Sequence, residues 1–212
     1  FSIVSYTGTG ANALLGHGLN AAPKMIITKN ISANASWAVY HSALGNGRLL
    51  QREKTDAAIN SASAWNSKDP TSSVFSVGNY ADTNNQNEAY IAYCFAPVEG
   101  YSAMGKYSGF SASVGPFIYT GFAPKFVVLK SSTHATDWCI NDIMREENDP
   151  GNARLSPNLS NAEVSDSAND YRVDFLSNGF QLRGDNTAQN TTGRDYIYMA
   201  FDENPFKTAR AR

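Results

Sequence analysis

Apolar residues in this chain fall in short runs, and Gly, Pro, Ser, Thr and Asn fill the spaces between them. Such runs, bounded by turn formers, predict β-strands and leave little room for helices. Strands are expected at 25–28, 36–40, 74–77 and 90–95, and again at 126–130, 138–140, 180–182 and 196–201. The run 90–95 is apolar at nearly every position, as suits a central strand covered on both faces. Phe75-Ser76-Val77 alternates instead, which predicts a half-exposed strand. Pro23 and Pro124 each precede a strand, where a missing N–H costs no ladder bond. The only helical hint is 142–147, closed by Asp149-Pro150-Gly151.

The pattern occurs twice. Tyr6-Thr7-Gly8 matches Tyr107-Ser108-Gly109, an offset of 101 (107 − 6). The same offset carries Ala22-Pro23-Lys24-Met25 onto Ala123-Pro124-Lys125-Phe126, Lys29 onto Lys130 and Trp37 onto Trp138. Tyr90 and Phe95 fall on Tyr196 and Phe201, an offset of 106 (196 − 90), so the second copy has gained five residues between. A period this long signals a duplicated unit and not a solenoid, whose repeats run roughly 20–50 residues. The fold expected is all-β: a tandem duplicated β-sandwich, jelly-roll-like or lectin-like. Its two halves, 1–103 and 104–212, would be similar and closely packed. Each copy holds a long polar excursion, at 42–72 and 143–172, which is either functional or a packed cover.

Charge changes this picture only by exclusion. The 17 Lys and Arg nearly balance 19 Asp and Glu, with no basic run to follow a nucleic-acid backbone. The apolar runs are far shorter than the roughly 20 residues that span a bilayer, so no membrane partner is expected. A start at Phe1 without Met is expected of a piece of a longer polypeptide or a processed product. Cys94 and Cys139 occupy non-equivalent places without metal-ligand company and are expected as buried small hydrophobes.

Candidate chemistry concentrates in two loops at equivalent places, 79–88 and 183–192. Tyr80, Asp82, Asn84, Asn85 and Asn87 in the first, and Asp185, Asn186 and Asn190 in the second, could bind a ligand. Amides and carboxylates fork hydrogen bonds to sugar hydroxyls, and Tyr80 could stack on a sugar ring. The same composition also describes a solvated tip rich in turn formers. Arg183-Gly184-Asp185 spells an integrin tripeptide and reads as coincidence, and the glycosylation sequons at Asn30, Asn34, Asn158 and Asn190 read as composition. Catalysis has little support. His17, His41 and His134 are scattered, Ser42 beside His41 lacks a nucleophile elbow, and adjacent acids at Glu146-Glu147 and Asp202-Glu203 point apart. No metal or cofactor is expected, although Asp/Asn calcium ligands at 82–88 or 185–195 stay open. Trp37 and Trp138, matched in position, are expected as core anchors, and Tyr6 and Tyr107 as architectural. Trp65 is expected to plug its loop.

Several phrases together carry a resemblance: Tyr6-Thr7-Gly8-Thr9-Gly10, Gly16-His17-Gly18-Leu19 leading to Ala22-Pro23-Lys24, Trp37-Ala38-Val39-Tyr40-His41, and Phe175-Leu176-Ser177-Asn178-Gly179-Phe180. With Met199-Ala200-Phe201 and Asn204-Pro205-Phe206, they make the chain resemble a β-rich domain recurrent in tail-fibre and virion-surface proteins of tailed bacteriophages, notably marine ones. The resemblance spans Phe1 to about Lys207 and brings no catalytic residue with it. It implies a non-enzymatic virion structural or adhesion module, displayed extracellularly on the particle, touching other virion proteins or a host-surface glycan. A homotrimer is expected from the symmetry of such assemblies. The alternatives are a polysaccharide depolymerase or glycosidase, and a secreted bacterial lectin-like domain. The copies differ most at 139–142 and 145–170, where individual specificity would lie.

Overall fold

The computed structural model describes residues 1–145, 153–165 and 171–203, and it is all-β with several sheets. The chain divides into two compact units, Phe1–Ala96 and Pro97–Arg212.

In the first unit the strands are β1 (Ser2–Thr7), β2 (Ala13–Gly16), β3 (Met25–Asn30), β4 (Trp37–His41), β5 (Arg48–Gln51), β6 (Ile59–Asn60), β7 (Val74–Val77) and β8 (Ala89–Phe95). One antiparallel sheet runs β1-β8-β3-β4-β5-β6, and β2 pairs with β7 in a second. Alternation decides what each strand gives the core. Ile26, Ala38, Tyr40, Leu49, Ala92 and Cys94 of the large sheet meet Phe75 and Val77 of β7, with Ala13 and Leu15 of β2 at the margin. The excursion 42–72 closes this core: Trp65 is 1 % exposed, and its indole N–H donates to the Arg48 carbonyl at 3.2 Å. It is a plug, as its sequence context suggested. One short helix, α1 (Ala81–Asn84), forms inside the loop expected to be irregular.

The second unit holds β9 (Ser102–Ser108), β10 (Val114–Tyr119), β11 (Phe126–Ser131), β12 (Cys139–Asp142), β13 (Ala153–Arg154), β14 (Val164–Ser165), β15 (Val173–Leu176), β16 (Gly179–Arg183) and β17 (Asp195–Phe201). Its main sheet runs β12-β11-β17-β9, the order β4-β3-β8-β1 of the first unit at offsets of 101 and 106. A second sheet, β10-β16-β15, matches β2-β7 with one strand added, and β13 pairs with β14. Val127, Leu129, Cys139, Tyr107, Tyr196, Tyr198 and Ala200 meet Ile118, Val173, Phe180 and Leu182 in one core.

Three expectations are corrected. Trp37 is not a core anchor. Ala38 and Tyr40 take the core face of β4, so Trp37 points the other way, half-buried and stacked on Tyr93 with centroids 6.4 Å apart. Its counterpart Trp138, by contrast, is a buried core residue at 1 % exposed, as expected. Ser76 is buried at 3 %, although β7 reads as half-exposed, because its hydroxyl donates to the Ala13 carbonyl and accepts from Asn66. The helical hint ends at bends over 143–145, after Asp142 has closed β12, and Glu146 and Glu147 lie outside the described residues.

Candidate functional site

Both candidate loops are built by one hydrogen-bond lock, repeated at the offset of 106. The chain turns helically before each lock asparagine, with Asn84 N–H donating to the Tyr80 carbonyl at 2.7 Å and Asn190 N–H to the Asn186 carbonyl at 2.8 Å. Asn84 is 1 % exposed. Its Oδ1 accepts from Thr9 N–H at 2.8 Å, and its amide donates to the carbonyls of Ala11 and Gly78. Asn190, 0 % exposed, accepts from Phe110 N–H at 2.8 Å and donates to the Gly184 carbonyl. Buried amides of this kind supply the partners that an irregular backbone otherwise lacks.

One stacked tyrosine pair completes each lock. Tyr6 and Tyr90 stack at 5.2 Å, and Tyr107 and Tyr196 at 5.1 Å. Tyr6 OH donates to the Thr83 carbonyl at 2.6 Å and Tyr107 OH to the Gln189 carbonyl at 2.8 Å. Tyr90 OH accepts from Asn85 N–H while donating to the Ala81 carbonyl; Tyr196 OH does the same with Thr191 and Thr187. Burial raises the pKa of all four phenols, so they stay protonated as donors.

Other residues proposed for ligand contact divide between anchors and tips. Asp82 accepts from Ser36 N–H and from the Gln51 amide, which fastens α1 to β4 and β5. Tyr80 packs against the first core. Asn186 Oδ1 accepts from Ala188 N–H at 2.8 Å. Asn85, Asn87 and Asp185 are exposed, so the loops keep only a few outward polar groups. Of the sequon asparagines, Asn30 and Asn190 are buried, and Asn158 is tied to Trp138 N–H and Asp137.

The residues weighed for catalysis do not converge. His17 is buried; its Nδ1 accepts from Leu19 N–H, so Nε2 carries the proton toward the Thr71 carbonyl. His41 ends β4 with Nδ1 accepting from Ala43 N–H, and Ser42 is exposed. Cys94 and Cys139 are free and buried, and burial pushes their thiols up to about 12 and about 11. Among the described residues no group of three His, Cys, Asp or Glu could hold a metal, and the calcium reading of 82–88 and 185–195 gains no support.

A cleft in the second unit was not foreseen. About 420 Å³ in volume, it is lined by Lys125, Ile143, Arg172, Asp174, Phe175 and Leu176. Lys125 is held by its backbone, its N–H donating to the Phe201 carbonyl and its carbonyl accepting from Ile143 N–H. Lys24 is clamped in the same way by Phe95 and Ser42, which explains the repeated Ala-Pro-Lys phrase as a backbone clamp. Arg172 and Arg183 lie across the β15–β16 pair, Arg183 N–H donating to the Arg172 carbonyl at 3.0 Å. Both guanidinium Nε groups bind one carboxylate, Asp174, at 2.7 and 2.6 Å. Arg183 is therefore tied into the hairpin, away from the use its integrin-like tripeptide would need. The signal in the sequence was Arg172-x-Asp174 on one strand face, with Arg183 two residues beyond Gln181, the partner of Asp174. A second ion-pair group stands nearby, with Arg145 bridging Asp142 and Glu163 at 2.6 Å each.

Comparison with curated proteins and with solved structures gives no match. A family model described as "Domain of unknown function (DUF7483)" matches residues 1–205, nearly the whole chain including both locks and the cleft, and the chain belongs to that family.

Proposed function

We propose that this chain is a non-enzymatic structural and adhesion module of a bacteriophage virion, a tandem duplicated β-sandwich that meets the host surface or neighbouring virion subunits. The repeated lock is the observation that carries this reading. The polar groups that both copies hold in common are bonded to their own backbone, so what is duplicated is a frame. A frame repeated at this precision suits a part that must present loops rigidly. Two sheets contributing to one core in each unit support the sandwich description. Among the described residues the extra strand β15, which lines the cleft, has no counterpart in the β2-β7 sheet of the first unit, and this favours the second unit as the contact surface.

The depolymerase reading needs two carboxylates working across a sugar, roughly 5–9.5 Å apart. Asp174, the carboxylate lining the cleft, is instead engaged by two arginines, and Asp142 and Glu163 share Arg145 between them. The test combines two measurements. Peptides of this chain should appear in purified particles, with gold-labelled antibody on their surface, and the isolated chain should leave host polysaccharide at its original chain length. Absence from particles, or shortening of the polymer, would sink the proposal.

A further inference from the structure

We propose that the outer face of the β10-β16-β15 sheet binds an uncharged saccharide, with its sugar rings stacked on Phe117 and Tyr119. This deepens the adhesion reading above and rests on it for the source of the ligand. Strand β10 puts Ile118 into the core and leaves its neighbours outside, Phe117 at 45 % exposure and Tyr119 at 68 %. Strand pairing sets two rows on that outer face: Phe117, Gln181 and Asp174 in one, Tyr119, Gly179 and Leu176 in the other. Gly179 raises no side chain between them, and a Cβ there would stand 2.8 Å from the Phe117 ring, which lies across it. At the repeat offset of 101 both rings fall on glycines, Gly16 (117 − 101) and Gly18 (119 − 101), so they are no part of the duplicated frame.

A pyranose has an apolar C–H face and a rim of hydroxyls, which suits exposed aromatic rings beside hydrogen-bonding groups. Gln181 donates its amide to the Gly115 carbonyl at 3.2 Å, and its Oε1 has no partner among the described residues. The Tyr119 hydroxyl likewise has none among them. Both groups are uncharged, and Asp174 behind them is already taken by Arg172 and Arg183, so the ligand needs no charge. A protein partner fits this face poorly on two counts. Three strands of at most six residues cover about 300 Å², against about 800 Å² on each side of a stable protein interface. The free edge of β10 is closed to strand addition by Pro116, which has no N–H, and by the register shift between Val114 and Phe117.

A printed array of neutral and acidic oligosaccharides tests this on the full chain. At least one neutral glycan should be retained. In titration calorimetry its affinity should fall about tenfold in Tyr119→Ala, be kept in Tyr119→Trp and stay level with added salt. Unchanged melting temperatures in both variants, expected at so exposed a position, will certify folding. The proposal is overturned if the array stays silent, if only acidic glycans bind, if Tyr119→Ala binds as before, or if sedimentation shows a self-association that Tyr119→Ala abolishes. Purified particles separate the two readings. A chain present on particles but silent on the array discards the platform and keeps the virion module, whereas a glycan-binding chain absent from particles does the reverse.

Discussion

An asparagine in a polar loop can face solvent, or it can take the place of partners that a turn leaves unpaired. Asn84 and Asn190 do the second, each reaching backbone groups of three or two other residues from a fully buried position. Replacing either by Ala strands those groups away from water, at roughly 1–3 kcal/mol for each buried group left unsatisfied. Asn84→Ala and Asn190→Ala should therefore each lower the denaturant midpoint markedly in urea unfolding followed by fluorescence, while Asn87→Ala, at an exposed position, should leave it nearly unchanged. Equal midpoints for all three would contradict the lock. In the sequence, these asparagines were indistinguishable from their exposed neighbours. Composition reports that a loop is polar, but which amide turns inward depends on the backbone 75 residues away that it meets.

At the scale of elements, the two repeated glycines are explained by close approach. A Cβ on Gly8 would stand 1.9 Å from the Asn85 carbonyl oxygen, and one on Gly109 would stand 2.2 Å from that of Thr191. Backbone cannot yield as a flexible side chain can, so overpacking of this kind costs about 1–3 kcal/mol or more. Gly8→Ala and Gly109→Ala should each lower the melting temperature by several degrees, whereas Gly47→Ala, with open space around it, should not. Calorimetry on the three variants decides it; a tolerated Gly109→Ala would mean that the loop can withdraw. Strand positions were legible where apolar runs are continuous, as in β3, β8, β11 and β17. Strands such as β1, β5, β10 and β15 were not, because polar residues on their outward face and turn formers beside them resemble loop. Trp37 was misplaced for a related reason. A one-residue change in phase exchanges the two faces of a strand, and periodicity alone does not say which face meets the core.

For the molecule as a whole, the raised thiols and phenols set an alkaline limit on stability. Cys94 and Cys139 titrate near 9 when unfolded and are held up to about 12 and about 11 in the native state by burial. Tyr6, Tyr40, Tyr107 and Tyr198 are raised in the same direction, also chiefly by burial. Between the unfolded and folded values the unfolded chain has already released its protons while the native one keeps them. Native stability is thus intact below pH 9 and declines above it as the folded groups approach their own titration. The melting temperature should be level from pH 7 to 8.5 and fall progressively from pH 9 to 11. A flat profile across that range would show these groups to be solvent-accessible in the folded state.

By itself the sequence determined the strand-rich class, the duplication and its offset, the plugging role of Trp65 and the burial of both cysteines. These follow from local patterns: turn formers bounding short runs, phrases that recur, and small or aromatic residues whose transfer from water dominates their energy. The tertiary structure alone decided which polar residues form the frame and which remain exposed. The contacts that fix lock and cleft reach far along the chain, nine residues for Arg183 on Asp174 and 82 for Tyr107 on Gln189. Hydrogen bonds and ion pairs are short-ranged and directional, so their partners exist only once the sheets have set the distance between segments.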